Sequence, residues 1–332
     1  MGTEDAMRIC VIGAGAMGSI YGGLLAHSGE DVTLIDTWPE HVAAIARGGL
    51  RLEGIGGALT VKVAAATEAA GDRLFDLALI QTDTNNTAAA AATAGRVLTP
   101  DGFAVTLQNG IGNLEILCAA LGAARVAGGL TYHSGAMRGP GHVAHTHAGP
   151  TWLGELDGRG SARIADLAAR LAKAGFTPHV VDNIVGTIWT KFIHNCAVNP
   201  VCAASGLRVG EIPRTPAADA LQTRIIAEAL EVVAAKGVAL ADADPMATIK
   251  AFCRKKFNKP SMLQHMEAGR RTEIDALNGA LVREGRALGL ATPYNQAVVW
   301  IIEAMQSQRM QAKSGPPVDY DALEREAQRQ AS

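Results

Sequence analysis

The chain has 332 residues, 48% of them hydrophobic and 19% charged, with a formal net charge of −2. That length favours two domains, and that composition supports a substantial buried core and excludes a disordered chain. A near-neutral balance without a basic block excludes nucleic acid and an anionic membrane surface as the main partner.

The first residues, MGTEDAMR, are acidic and lack an apolar run, so no signal peptide is expected there. RICVIG is a short β-rich run, GAGAMGSIYGGLLAHSG is helical, and DVTLID is a second strand. FDLALIQT (75–82) and GFAVTLQ (102–108) read as further strands, separated by alanine-rich helical segments. This alternation predicts a parallel, doubly wound α/β sheet. From Val126 to Leu156 the texture turns to short strands and GPGH turn residues, which suggests a late antiparallel addition to that sheet. A helix over 161–175 and a strand at TPHVV complete the pattern.

After about Asn183 strands disappear. Helical periodicity runs from Ile184 to Gln308, with breaks expected near Pro200, Pro213, Pro245, Pro260 and Pro293. A domain boundary is therefore placed near 182: 1–182 as a dinucleotide-binding, Rossmann-like domain and 183–332 as an all-helical domain. The tail from Ser314 reads as a loose linker and a short terminal helix. No run of about 18 apolar residues exists, so no membrane span is expected. The five cysteines form no CxxC pair, which suits reduced thiols in a cytoplasmic protein without a metal framework.

GAGAMG, Gly13 to Gly18, follows a strand and opens a helix, the setting in which GxGxxG reads as a dinucleotide fingerprint. Gly13 permits the tight turn, Gly15 lets the backbone approach a pyrophosphate, and Gly18 allows close helix–strand packing. The N–H groups that open the helix, Ala16 and Met17 included, suit a phosphate. Asp36, at the end of LIDTW, stands where an acid would bond the adenosine ribose hydroxyls of NAD. It reads alternatively as a solvated strand end or a cap of the helix that follows.

In WTKFIHNCAVNP, Lys191, Asn195 and Asn199 are spaced i, i+4, i+8 and continue a row begun by Ile184 and Ile188. A polar row that extends an apolar one points inward, where lysine is seldom found without a partner. From spacing alone the row is equally a snorkelling lysine and two amides ending a helix.

LQNGIGN (107–113), GAGAMGS, WTKFIHNCAVNPVCA and KPSMLQHMEAGRRTEIDALNGALVREGRALGLATPYN (259–295), the last read as a long helix and its exit, occur in one order. Together they resemble the ketopantoate reductase family, the 2-dehydropantoate 2-reductases, over nearly the whole chain. The resemblance implies a Rossmann domain followed by a helical domain, with an active site in the cleft between them. It implies hydride transfer from reduced nicotinamide to the ketone of a 2-oxo acid, giving the (R)-2-hydroxy acid. By the same resemblance Lys191 is the general acid and Asn109 lies beside nicotinamide and substrate. Asn195, Asn199, Asn258 and Ser261 bind substrate, and Glu273 belongs to the catalytic set. Burial beside the cofactor should lower the pKa of Lys191.

One stretch departs from the family pattern. Where members that use NADPH carry a lysine near the end of the fourth Rossmann strand and an arginine after the second, this chain has Asp83 and Thr37, with Asp36 adjacent. Two carboxylates and no cation make a poor site for a 2′-phosphate, so NAD(H) is expected over NADP(H). This keeps a second function open: an NAD-dependent D-2-hydroxy acid dehydrogenase for aromatic or branched substrates. A third reading, a non-catalytic NAD sensor, sits badly with intact Lys191, Asn195, Ser261 and Glu273.

Weaker signals are weighed similarly. Ser261 with Gln264 matches a capping box, and Glu267 with Arg271 matches an i, i+4 ion pair. His133, His142, His145 and His147 read as hairpin surface rather than a metal site. The partner is expected to be a small molecule, and an alanine- and glycine-rich helical domain is able to support a homodimer.

Overall fold

The computed structural model describes residues 6–70, 73–314 and 319–330. The chain divides into two compact units, 1–192 with 236–243, and 193–235 with 244–332. The anticipated boundary near 182 precedes a long helix, whereas this division falls inside that helix.

In the first unit the elements are β1 (Arg8–Ile12), α1 (Ala16–His27), β2 (Asp31–Ile35), α2 (Pro39–Gly48), β3 (Leu50–Gly54), β4 (Leu59–Val61), β5 (Ala64–Ala66), β6 (Phe75–Ile80), α3 (Thr87–Val97), β7 (Leu98–Thr106), α4 (Asn113–Leu121), β8 (Val126–Thr131), β9 (Ser134–Gly139), β10 (His142–His147), β11 (Pro150–Glu155), α5 (Ala162–Lys173) and β12 (Thr177–Val180). Eight strands form one sheet in the order β12-β11-β8-β7-β6-β1-β2-β5. The six strands from β8 to β5 pair in parallel. Their side chains alternate between two cores, as a pleated strand buried on both faces requires. Ile9 and Val11 of β1 pack with Leu25 and Leu167 on one side. Cys10 and Ile12 pack with Ala90, Ala94 and Leu117 on the other. Burial pushes the Cys10 thiol up to about 12, so it stays a neutral hydrophobe.

The late antiparallel addition holds for one strand. β11 pairs antiparallel with β8, but β12 then joins parallel to β11. β9 and β10 leave this sheet for a second one, ordered β4-β3-β10-β9. Its parallel β3–β10 pairing joins residues about 90 positions apart (Arg51 with His142), a connection that local pattern does not carry.

Helix α6 (Ile184–Ser205) starts on a nearly bare patch of strand. A Cβ at Gly128 would lie 3.1 Å from Ile184, and one at Gly154 2.8 Å from it. Glycines in β8 and β11 thus let the first turns of α6 approach the sheet, which carries Lys191 to the end of β8.

The second unit is helical, with α7 (Pro216–Lys236), α8 (Pro245–Lys255), α9 (Ser261–Glu267), α10 (Ala280–Ala287), α11 (Pro293–Ser314) and α12 (Tyr320–Gln330). The break anticipated at Pro200 does not occur; α6 continues to Ser205. Proline has no N–H for the carbonyl four residues earlier. That carbonyl, of Cys196, instead accepts from Asn278 Nδ2 at 3.1 Å. Asn278 also donates to Asn295 Oδ1 at 2.8 Å, and Asn295 donates to Glu228 at 2.7 Å. Glu228 in turn accepts the N–H groups of Tyr294 and Asn295 at the start of α11. Asn278→Ala therefore leaves two buried acceptors without a donor. It is expected to cost about 3 kcal/mol in urea unfolding followed by circular dichroism, since each buried unpaired group costs about 1–3 kcal/mol.

The long helix expected after Ser261 is also interrupted. α9 ends at Glu267, Gly269 just beyond it adopts φ +60, and a π-helical turn (Asp275–Gly279) precedes α10. The expected linker lies largely at 315–318 and the acidic start at 1–5, both outside the described residues.

Candidate active site

The glycine turn has the shape its sequence requires. Gly13 has φ +93, and a Cβ there would lie 2.6 Å from the backbone N of Thr82. A Cβ at Gly18 would lie 1.9 Å from the Gly13 carbonyl oxygen. A Cβ at Gly15 would meet nothing within 4 Å. So Gly13 and Gly18 are needed by the protein's own backbone, while Gly15 faces open space at the helix start. Gly15 is the N-cap of α1, and no side chain caps that end. The N–H groups of Ala16, Met17 and Gly18 thus form a helix N-terminus suited to an anion. This open, uncapped turn matches what a dinucleotide pyrophosphate needs.

β2 and β6 flank β1, with Ile12 level with both Ile35 and Ile80. Asp36 and Asp83 follow those two strands, so they stand at the carboxyl edge of the sheet on either side of the glycine turn. Asp36 is half-buried and accepts from the N–H of Trp38 at 2.9 Å. That bond shapes the turn into α2, whose N-cap is Trp38, so Asp36 is not itself the helix cap. Asp83 is exposed and precedes a short 3-10 turn, Thr84–Asn86.

Lys191 is half-buried, and its ammonium donates to Asn109 Oδ1 at 2.9 Å and to the Thr131 carbonyl at 2.6 Å. It lies 5.1 Å from the centre of the exposed Tyr132 ring, within cation–π range. Asn109 is fixed by its own loop, whose Gly110 and Gly112 adopt φ +88 and +87. Its carbonyl accepts from Thr84 Oγ1 and from Asn113 Nδ2, each at 3.1 Å. Gln108 Nε2 donates to the Thr82 carbonyl at 2.7 Å, tying the loop after β7 to the one after β6. The first and last amides of QNGIGN therefore hold the loop while the middle one meets the lysine. An apolar pocket of about 200 Å³ lies beside this loop, between Leu114 and Cys118 of α4 and Ile188 and Trp189 of α6, and Lys191 does not line it. The Thr131 carbonyl and Tyr132 escaped sequence reading, because a backbone acceptor leaves no residue-type signal.

In the second unit, Asn195 is half-buried and Asn199 is 7% exposed. Neither side-chain amide has a hydrogen-bond partner among the described residues, so both remain available as donors. Asn258 is exposed and offers its carbonyl to Val209 N at 3.3 Å. Ser261 is exposed and stands one position inside α9, whose N-cap is Pro260. The capping box with Gln264 does not form: Gln264 Nε2 reaches back to the Lys259 carbonyl at 2.8 Å. This leaves the Ser261 hydroxyl outside any cap. Glu273 is half-buried, and its carbonyl accepts from Leu277 N at the entry to the π-helical turn, not in mid-helix. Glu267 pairs with Lys259 at 2.6 Å rather than with Arg271.

The histidines are not all hairpin surface. His145 is buried, and its Nε2 lies 2.9 Å from His133 Nδ1. His147, two positions further along β10, is exposed, and the β9–β10 register shifts between the two. Burial, then the nearby His145 and His147, pushes the His133 imidazole down to about 4, so it is neutral at ordinary pH. Among the described residues no group of three or more His, Cys, Asp or Glu is placed to hold a metal ion. Nor is any helix there long and apolar enough to cross a membrane.

Comparison with known proteins points the same way as this geometry. The family model for ketopantoate reductase PanE/ApbA matches residues 9–158, and the model for its C-terminal part matches residues 183–306. A 2-dehydropantoate 2-reductase of Pyrococcus horikoshii is 32% identical over 302 residues, covering 91% of this chain and 98% of that one. Among solved structures, a PanE/ApbA family ketopantoate reductase from Ralstonia eutropha JMP134 superposes with a TM-score of 0.81 at 34% identity, covering 91% of this chain and 99% of that one. D-mandelate dehydrogenase, in a ternary structure with NADH and anilino(oxo)acetate, also gives a TM-score of 0.81, at 29% identity and the same two coverages.

Proposed function

The chain belongs to the ketopantoate reductase family, and on that footing we propose that it reduces ketopantoate (2-dehydropantoate) to the (R)-2-hydroxy acid in the cytoplasm, with NADH preferred over NADPH. The observation that carries the chemistry is the Lys191 ammonium held on Asn109 Oδ1 and the Thr131 carbonyl. Reduction of a ketone builds negative charge on its oxygen, and a catalyst must neutralise or protonate that oxygen. Bound reduced nicotinamide supplies hydride to the ketone carbon. Lys191 gives the proton to the ketone oxygen. Asn109 keeps the lysine aimed at that oxygen.

The turn from Gly13 to Gly18, with the N–H groups of Ala16 and Met17, holds the pyrophosphate. Asp36 takes the ribose hydroxyls, and Asp83 adds a second carboxylate unfavourable to a 2′-phosphate. Asn195, Asn199, Asn258 and Ser261 are assigned to the substrate, and Glu273 to the catalytic set, as the carboxylate that orients or tunes Lys191 or binds a substrate hydroxyl. Residues 1–182 serve as the cofactor domain and 183–332 as the substrate domain. No nucleic-acid or membrane partner is assigned, and a homodimer is compatible with the helical part.

The exposed Tyr132 ring beside Lys191 supports a second reading, an NAD-dependent D-2-hydroxy acid dehydrogenase for aromatic or branched substrates. D-mandelate dehydrogenase, with its NADH, is a structural neighbour of that kind.

The test is the initial rate of NADH oxidation with ketopantoate, with NADPH in parallel. Turnover with NADH, at a kcat/KM about tenfold or more above that with NADPH, is expected from the repulsion of a 2′-phosphate by carboxylates. Turnover only with NADPH would sink the cofactor assignment and leave the reaction standing. Turnover with neither, but with aromatic or branched 2-oxo acids, would establish the second reading.

A further inference from the structure

The carbonyl that receives the Lys191 ammonium belongs to a peptide held from several sides. Thr131 is the last residue of β8, level with Thr151 on β11. The N–H of Tyr132, in the same peptide plane, donates to the Pro150 carbonyl at 3.0 Å. The Thr131 hydroxyl oxygen accepts from the N–H of His133 at 3.0 Å, closing a tight turn. It also accepts from the Tyr21 hydroxyl at 2.8 Å, and Tyr21 is bonded in turn to the Thr151 hydroxyl at 2.5 Å.

Tyr21 lies on α1, the helix that opens at the glycine turn. It is fully buried, with its ring stacked on Phe176 at 4.3 Å and 3°. Burial pushes its phenol up to about 12, so the hydroxyl keeps its proton as a donor. Packing alone would be met by phenylalanine here, since the ring already has its stacking partner. A hydroxyl joined to two threonines in a dry site is costly to place unless all its bonds are made. Its effect is to fix the turn that presents the Thr131 carbonyl to Lys191.

We propose that Tyr21 is a positioning residue for the reduction: through the Thr131 hydroxyl it holds the carbonyl that aims the Lys191 ammonium, linking the cofactor-binding helix to the proton donor. This rests on Lys191 being the proton donor of the proposed function. The Tyr21 hydroxyl is bonded to Thr131 and Thr151 and not to the lysine, so it reaches the lysine through Thr131.

The test is a double-mutant cycle on the full-length enzyme, with kcat and KM measured across pH. Tyr21→Phe keeps the ring and is expected to lower kcat about tenfold, to leave the KM for the nicotinamide cofactor within about twofold, and to shift the pH limb that reports Lys191. Thr131→Val should reproduce the defect and Thr131→Ser should largely restore the rate. In a Lys191→Ala background, Tyr21→Phe should change kcat less than twofold. A Tyr21→Phe enzyme that is only less thermostable, with kcat and pH profile unchanged, overturns the inference alone. So does a Tyr21→Phe defect that persists undiminished in the Lys191→Ala background. An undiminished kcat in Lys191→Ala itself overturns the reading of the site, and this inference with it.

Discussion

Replacing Lys191 with alanine is expected to lower kcat for 2-oxo acid reduction by about 10³-fold or more. Loss of a positioned general acid typically costs about 10²–10⁴-fold, and loss of a cation at a developing oxyanion acts in the same direction. A 10³-fold loss corresponds to about 4 kcal/mol of transition-state stabilisation. The KM for the nicotinamide cofactor should change little, because Lys191 meets the QNG loop and the end of β8 rather than the glycine turn. Asn109 Oδ1 and the Thr131 carbonyl would lose a donor, so a modest fall in stability is also expected, and the fold should be checked by circular dichroism beside the kinetics. Lys191→Arg separates charge from geometry. A planar guanidinium keeps the positive charge but cannot reproduce a compact ammonium between two acceptors, so it should recover part of the rate at most. Activity of Lys191→Ala within tenfold of the wild type would mean that another group protonates the ketone oxygen.

The parts of this arrangement that were legible in the sequence are those set by short-range spacing. GAGAMG encodes its turn within six residues, and the geometry at Gly13 and Gly18 is what such a turn imposes. The alternation of strand and helix from β1 to α4 follows from periods of two and 3.6, so the Rossmann-like sheet and the helical second part were both readable. Lys191, Asn195 and Asn199 were readable as one helical row. What escaped depends on partners distant in sequence. α6 passes Pro200 because Asn278, 78 residues later, supplies the missing donor. β3, a short segment carrying Arg51 and Glu53, becomes an inner strand because β10 pairs with it on one side and β4 on the other. His145 is buried against His133, twelve residues earlier on the neighbouring stretch of chain. In other places a local signal existed and was outweighed. Gly269, with φ +60, marks the end of α9 inside what read as one long helix. Pro260 takes the N-cap and moves Ser261 one position inward, which dissolves the capping box.

Gly18→Ala and Gly15→Ala are expected to fail in different ways, and the contrast tests whether the turn is shaped for a ligand or only for itself. A methyl group at Gly18 would stand 1.9 Å from the Gly13 carbonyl oxygen and 3.2 Å from Val11 Cγ1. The backbone contact cannot yield without moving α1 off β1 or rotating the Gly13 peptide, and the Val11 side chain is fully buried. Overpacking of this kind costs about 1–3 kcal/mol in stability, and the displaced turn should bind NADH at least about 10²-fold more weakly, which is about 2.7 kcal/mol. A methyl group at Gly15 meets no protein atom within 4 Å. Its helix-capping position tolerates the change at a cost near 1 kcal/mol or below, so urea unfolding should be nearly unchanged. NADH affinity, read by fluorescence titration, should still fall, because the methyl group occupies the space in which the pyrophosphate approaches the helix N-terminus. If Gly15→Ala bound NADH as tightly as the wild type, the open space at Gly15 would not be the pyrophosphate site. The cofactor would then have to be held by the strand ends carrying Asp36 and Asp83 without the helix terminus. If Gly15→Ala instead lost stability as severely as Gly18→Ala, the glycine would be required by the fold. Loss of binding with stability retained is the outcome that only a ligand-shaped turn produces.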